Sequence, residues 1–179
     1  MDFTSITLNA AAKAMQDCVL PALASADDRQ ALEQAHLVWD AIKFARDRVD
    51  LIGERRRTEV LELCSLIGRL LEINSVRQLQ VKDEIAQTHA ESLAVLADPS
   101  ATALTFADLT VRLGATLSSL LTEADGMAAP DRGEIERAVL DHSLRKLEVD
   151  RAWLFPLGFD PDPSSVRDVQ VALKGVVKE

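Results

Sequence analysis

The sequence predicts an all-α fold, an irregular antiparallel helical bundle of six or seven helices that includes one long helix or a coaxial pair. Apolar residues recur at helical spacing along most of the 179 residues, and no segment alternates as a half-buried strand does. Hydrophobic residues make up 47% of the chain, which is enough for a contiguous core. We therefore expect residues 1–179 to form a single helical domain.

The first helix is predicted from about Ser5 to Val19, because its apolar residues share one stripe and Pro21 then removes a backbone donor. The stretch "ASADD" supplies the turn that follows. Within it, Ser25 or Asp27 is placed to cap the second helix by accepting from its first N–H groups.

From Ala31 to Leu71, apolar residues then recur on the same helical face, which predicts one long helix or two nearly coaxial helices. Gly53 is the position where this run is expected to break or kink. Further on, a helix ends at Asp98 before Pro99, and Thr105 is expected to cap the next one. That next helix has the clearest core face, formed by Phe106, Leu109, Leu113, Leu117 and Leu120.

A helix from about Gly133 to Trp153 carries apolar residues on two faces, so we expect it to be covered on both sides. One face holds Ile135, Val139, Val149 and Trp153, and the other holds Leu140, Leu144, Leu147 and Leu154. The segment 154–163 after it is a strap rich in proline and aromatic residues. A terminal helix over 164–175 is expected to begin at Ser164 or Ser165 and to end near Gly175.

The aromatic residues of the strap allow two interpretations. Phe155 and Phe159 are expected to plug one end of the bundle, because ordered loops rich in apolar residues must bury them. Alternatively, they form the lid of a ligand site or a surface that docks a partner.

Charge and terminal sequence narrow the possible partners and compartment. Lys and Arg number 20 against 29 Asp and Glu, which gives a formal net charge of −9 and disfavours nucleic acid and anionic membranes as partners. The first residues resemble neither a secretory signal nor a transit peptide, and no apolar run is long enough to span a bilayer. Cytoplasmic localisation is expected, and Cys18 and Cys64 are interpreted as reduced, buried thiols.

Motifs of common enzyme classes are missing from the sequence. It has no GxSxG, Walker loop, GxGxxG or HExxH pattern. Glu33 and His36 have the i, i+3 spacing of a di-iron bundle, but the pattern is not repeated before His89 or His142. We therefore predict no metal and no cofactor. His142 lies in the middle of an apolar stripe, where a general base or a core histidine with one hydrogen bond would fit.

Arg46 and Arg57 interrupt the apolar face of the 31–71 run, where charges are costly unless they are paired or solvated. In one interpretation Arg46 pairs with Asp50 at i, i+4, or this section projects beyond the core. In the other, the two arginines, helped by Arg55 or Arg56, bind a carboxylate or phosphate, or an acidic segment of a protein partner.

The stretches "AAAKAMQDCVLPAL" and "ERRRTEVLELCSLIGRLL" resemble an uncharacterised bacterial helical domain found beside aminoglycoside-phosphotransferase-like kinases and acyl-CoA dehydrogenases. The resemblance covers about the first 75 residues and depends on the "VLPAL" corner and the Glu- and Arg-rich second segment. It implies an accessory role near acyl-CoA or phosphotransfer metabolism, and it implies no catalytic residues.

Two classes of function follow from these observations. The favoured one is a non-enzymatic helical interaction or accessory protein that binds a protein partner or a second copy of itself. The alternative is a protein that binds a small anionic or acyl ligand, or an enzyme without a known motif, with its pocket inside the bundle. In that case Arg46, Arg57 and His142 are the polar anchors, and the walls are formed by Trp39, Phe155 and Phe159.

Overall fold

The structure is a computed structural model that describes residues 3–174, and within these residues it is an all-α helical bundle without strands. Six of the described helices have twelve or more residues: α1 (Phe3–Ala14), α3 (Arg29–Arg48), α4 (Ile52–Glu72), α5 (Lys82–Ala97), α6 (Ala103–Ala124) and α7 (Ala129–Leu154). Two shorter helices are α2 (Leu20–Ser25) and α8 (Val169–Lys174). No helix within the described range is both long and apolar enough to cross a membrane.

The chain divides into two compact units that alternate along the sequence. Unit 1 contains the described residues up to Ile52 together with Trp153–Pro161. Unit 2 contains Gly53–Ala152 and the described residues from Asp162 onward. The prediction of one helical domain stays a prediction.

In unit 1, the first helical run does not end at Pro21 as the sequence predicted. A five-residue π-helical turn, Met15–Val19, follows α1, and Pro21 lies in the first turn of α2. Proline is tolerated there because the first N–H groups of a helix have no intrahelical acceptor. The run therefore continues to Ser25, whose hydroxyl donates to the Pro21 carbonyl at 2.9 Å.

The long run predicted over 31–71 consists of two consecutive helices. Asp28, rather than Ser25 or Asp27, caps α3, and its Oδ1 accepts from Ala31 N at 2.9 Å. A 3₁₀ turn over Val49–Leu51 separates α3 from α4. Gly53 lies inside α4 and is not the break, and a Cβ there would meet nothing within 4 Å.

In unit 2, α4, α5, α6 and α7 share one hydrophobic core. The α6 face predicted from the sequence is confirmed: Phe106, Leu109, Leu113 and Leu120 are buried, and Leu117 packs against them. The remaining members of the core are Val60, Cys64, Leu66, Ile67, Leu70, Val76, Ile85, Leu96, Ala124 and Ile135.

Three helix ends in unit 2 differ from the predictions. Thr102, one turn earlier than predicted, caps α6, and it exchanges hydrogen bonds with Thr105 in a capping box. Helix α7 begins at Ala129 instead of Gly133, because a proline at 130 is compatible with a first helical turn. Asp168 Oδ1 accepts from Gln170 N at the start of α8, so neither Ser164 nor Ser165 caps it. The predicted helix end near Gly175 lies outside the described residues.

The strap in unit 1 lies against α3 but does not plug the unit with its phenylalanines. A 3₁₀ turn over Phe155–Leu157 ends at Gly158, which adopts a left-handed φ of 76° that suits glycine. Phe159 is 88% exposed and Phe155 is 44% exposed, so neither side chain is buried and the plug prediction is wrong for both. The anchor is instead Arg48, whose Nε donates to the Trp153 carbonyl.

Candidate functional site

Three leucines of α7 form an exposed apolar stripe, which we call the leucine ridge: Leu140, Leu144 and Leu147. Their exposed fractions are 60%, 56% and 54%. Spacings of four and three residues place them on one side of the helix. The prediction that α7 is covered on both sides is therefore wrong, because only the other face, with Ile135, His142 and Val149, is buried.

A surface groove lies beside the ridge, between α6 and α7 in unit 2. Its volume is about 400 Å³, and its apolar lining includes Leu121, Ala124, Ile135, Val139 and Leu140. Leu140 thus belongs to both features, so the groove borders the N-terminal end of the ridge. We call it the α6/α7 groove.

The charge of α7 differs between its two halves. Residues 129–141 carry four carboxylates, at positions 131, 134, 136 and 141, and two arginines. Residues 142–154 carry three cations, at positions 145, 146 and 151, and two carboxylates. The half that lines the groove is therefore net negative, and the half that extends the ridge is net positive.

The arginines predicted to bind an anion lie in different units, and both have protein acceptors. In unit 1, Arg46 Nε donates to Asp47 Oδ1 at 2.8 Å, so its observed partner is not Asp50. In unit 2, Arg57 Nη2 donates to the Leu96 carbonyl at 3.3 Å. The anion-pocket hypothesis stays a prediction.

The predicted helper arginines are also paired. Arg55 lies 2.7 Å from Asp150 and 3.5 Å from Glu59. Arg56 donates to Glu59 at 2.9 Å. These contacts use guanidinium groups that the hypothesis assigned to an anionic ligand.

Trp39, predicted as a pocket wall, lies on α3 in unit 1 and is half-buried. The Lys43 ammonium lies 4.2 Å from the centre of its ring, and the edge of the His36 ring approaches at a centroid distance of 6.2 Å. A cation above the ring face is a favourable contact that local helix spacing alone produces. Trp39 belongs to unit 1, whereas His142 belongs to unit 2.

His142, predicted as a polar anchor, lines a cavity in unit 2. This cavity has a volume of about 160 Å³, and its lining also includes Arg56, Glu59, Glu62 and Lys146. Burial is the main cause that lowers the pKa of His142, and nearby Arg145 lowers it further. Burial also raises the pKa of Glu62, although Arg145 opposes that change.

Glu62 is not among the site residues predicted from the sequence, because only one apolar stripe of α4 was used for that prediction. That stripe, with Val60, Cys64 and Ile67, is buried, but so are Leu66 and Leu70 on the neighbouring stripe. Glu62 is four residues before Leu66, which was the available signal for a buried carboxyl group.

No group of three or more His, Cys, Asp and Glu side chains within residues 3–174 is placed to hold a metal ion. Comparison with protein-family models, curated proteins and solved structures finds no match to this chain. The resemblance of the first 75 residues to a bacterial helical domain therefore stays a prediction.

Proposed function

We propose that this protein is a non-enzymatic helical interaction protein that associates with a second copy of itself through the leucine ridge. The observation that carries the proposal is the exposure of Leu140, Leu144 and Leu147 along one side of α7. Contiguous exposed apolar surface of this kind is typical of interaction sites. We place the protein in the cytoplasm, because both cysteines are free, as in a reducing compartment.

A second copy fits this surface because an apolar ridge and an apolar groove lie side by side and meet at Leu140. In an antiparallel pair related by a two-fold axis, Leu144 and Leu147 of each copy meet the α6/α7 groove of the other. Such an isologous contact uses the same patch twice. The net negative half of α7 then faces the net positive half of the other copy, which favours this orientation.

The size of the ridge predicts a reversible dimer. A two-fold contact covers six half-exposed leucines, which contribute roughly 5 to 9 kcal/mol in total if each gains half of a full side-chain burial. Association costs about 4 kcal/mol or more in lost translational and rotational freedom. Because the two quantities are similar, one charged substitution in the ridge is expected to abolish the dimer.

Sedimentation equilibrium over a range of concentrations tests the proposal. The parent chain should show a reversible monomer–dimer equilibrium, and Leu144→Glu should be monomeric. Val111→Glu is the matched control, since Val111 is an exposed apolar residue of α6. It should dimerise as the parent does.

Two results would overturn the proposal. One is a parent chain that is monomeric at every concentration, and the other is an equal loss of association in both variants. Circular dichroism of Leu144→Glu must retain the helical signal of the parent, which is expected because the replaced side chain is exposed.

A further inference from the structure

Among the buried polar atoms of unit 2 that have no hydrogen-bond partner within the described residues, two belong to side chains that line the same cavity. Glu62 is 3% exposed and His142 is 7% exposed. Within the described residues, neither Glu62 Oε1 nor His142 Nδ1 has a hydrogen-bond partner. Leaving a buried donor or acceptor unpaired is costly, so an occupant that bonds to both atoms gains by binding here.

The cavity has room for a small organic molecule. Its volume is about 160 Å³, and α4, α6 and α7 each contribute to its lining. An apolar cavity of about 150 Å³ in a protein core holds benzene, so the occupant has roughly the size of six non-hydrogen atoms.

Charged groups of both signs line the cavity: the cations Arg56 and Lys146, and the carboxyl groups of Glu59 and Glu62. Arg56 Nη1 lies 2.9 Å from Glu59 Oε2, and the Lys146 ammonium contacts the Asp150 carboxylate. An occupant of either charge would meet like charges in this lining and would also lose its hydration, which is costly. This arrangement favours a neutral occupant.

The two unpaired atoms also define the hydrogen-bonding pattern of the occupant. Glu62 Oε1 is an acceptor, and His142 Nδ1 is an acceptor or a donor according to the tautomer of the ring. A primary amide has two N–H donors and one carbonyl acceptor in a plane, so it can satisfy both atoms with either tautomer. A hydroxyl group has a single hydrogen and cannot donate to both atoms when Nδ1 is an acceptor.

We propose that the cavity between α4, α6 and α7 is a binding site for a small neutral molecule with a primary amide group, held by Glu62 and His142. The site is separate from the leucine ridge, because His142 lies on the buried face of α7. Binding of an amide in this cavity can therefore be tested independently of dimer formation.

Nuclear magnetic resonance of the His142 ring nitrogens, in protein with ¹⁵N-labelled histidine, tests the site directly. The probe is isobutyramide. The two matched compounds are N,N-dimethylacetamide, which lacks N–H donors, and isobutyrate, which is charged, and both have the same number of non-hydrogen atoms as the probe. We expect a saturable shift of the His142 signals with isobutyramide, and affinity at least tenfold weaker for both matched compounds.

Variants identify the residues that hold the probe. Glu62→Leu should weaken binding of isobutyramide at least tenfold, since it removes one of the two groups that hold the amide. Thr110→Val is the control in the same cavity, because the Thr110 hydroxyl already donates to the Phe106 carbonyl at 3.0 Å. Its affinity should equal that of the parent.

Three results would overturn the site: no saturable shift of His142, equal binding of dimethylacetamide, or full binding by Glu62→Leu. If Glu62→Leu does not fold, His142→Phe replaces it, with one-dimensional ¹⁹F detection of a fluorinated isobutyramide as the measurement. Undiminished binding by that variant contradicts the proposal equally.

Discussion

Arg48 Nε donates a hydrogen bond to the backbone carbonyl of Trp153, 3.0 Å away and separated by 105 positions in the chain. The guanidinium carbon of Arg48 lies 5.6 Å from the centre of the Trp153 ring and 5.9 Å from that of Phe44. Arg48 is 8% exposed, so this buried cation is stabilised by carbonyl groups and ring faces. The contact attaches the beginning of the strap to α3 within unit 1.

Replacement of Arg48 is expected to destabilise unit 1. Arg48→Met should lower the free energy of unfolding by about 2 kcal/mol, because a hydrogen bond from a charged donor is lost. The control is Arg46→Met, which breaks only a half-exposed pair with Asp47 and should change stability by less than about 1 kcal/mol. Urea midpoints from circular dichroism measure both, and equal midpoints for the two variants would contradict the anchor.

The exposed phenylalanine of the strap should contribute little to folding. Phe159 is 88% exposed, so Phe159→Ala is expected to change the free energy of unfolding by less than about 0.5 kcal/mol. Phe106→Ala, at a core position of α6 that is 6% exposed, should cost about 3 to 5 kcal/mol. A loss for Phe159→Ala as large as the loss for Phe106→Ala would restore the plug interpretation.

The pH dependence of stability should change when Glu62 is made permanently neutral. Burial raises the pKa of Glu62 above its ordinary value of 4.5, so the folded chain holds this proton more tightly than the unfolded chain does. Its contribution to the free energy of unfolding is therefore full below pH 4.5 and is lost as the pH rises through the raised pKa. Glu62→Gln should gain stability relative to the parent as the pH rises from below 4.5 to neutrality.

At each pH, the free energy of unfolding of the parent chain is subtracted from that of Glu62→Gln. The pKa of His142 lies below its ordinary value of 6.5, so its contribution is lost on acidification and has the opposite sign. Because both chains contain His142, its contribution cancels in the difference between their free energies of unfolding. Glu72→Gln, at an exposed position of α4, is the control, and a stability difference for Glu62→Gln that does not depend on pH would refute the assignment.

The two cysteines should differ in reactivity. Cys64 is buried, and burial raises the pKa of its thiol to about 11, whereas Cys18 is exposed, which corrects the prediction that both thiols are buried. Because the thiolate is the reactive form, iodoacetamide near neutral pH should modify one thiol in the folded chain and two in urea. Cys18→Ser should abolish labelling of the folded chain, and rapid labelling of that variant would show that Cys64 is accessible.

The sequence predicted best where a helix has a single uniform apolar stripe. In α6, Phe106, Leu109 and Leu113 repeat at three and four residues, and that period alone identified the core face. The cap was misplaced because Thr102 and Thr105 are both suitable residues one turn apart. Pro21 was misread because a π-helical turn has no clear signal in the residues that form it.

Contacts between distant segments were beyond the reach of local patterns. Arg48 donates to the carbonyl of Trp153, and no residue near Arg48 in the sequence indicates that this acceptor is close in space. In α7, the two apolar faces predicted that both faces pack against other parts of the chain, but the described residues bury only one of them. A helix pattern shows that a face is apolar and does not show which molecule buries it.

The division of unit 1 into two sequence segments has a consequence for synthesis on the ribosome. Helices α1, α2 and α3 emerge first, but Trp153–Pro161 follows only after Gly53–Ala152 has been translated. At about 5 to 20 residues per second, that interval lasts about 5 to 20 seconds. During it the nascent Arg48 side chain has no Trp153 carbonyl to bind, because this acceptor arrives only with the last residues of α7.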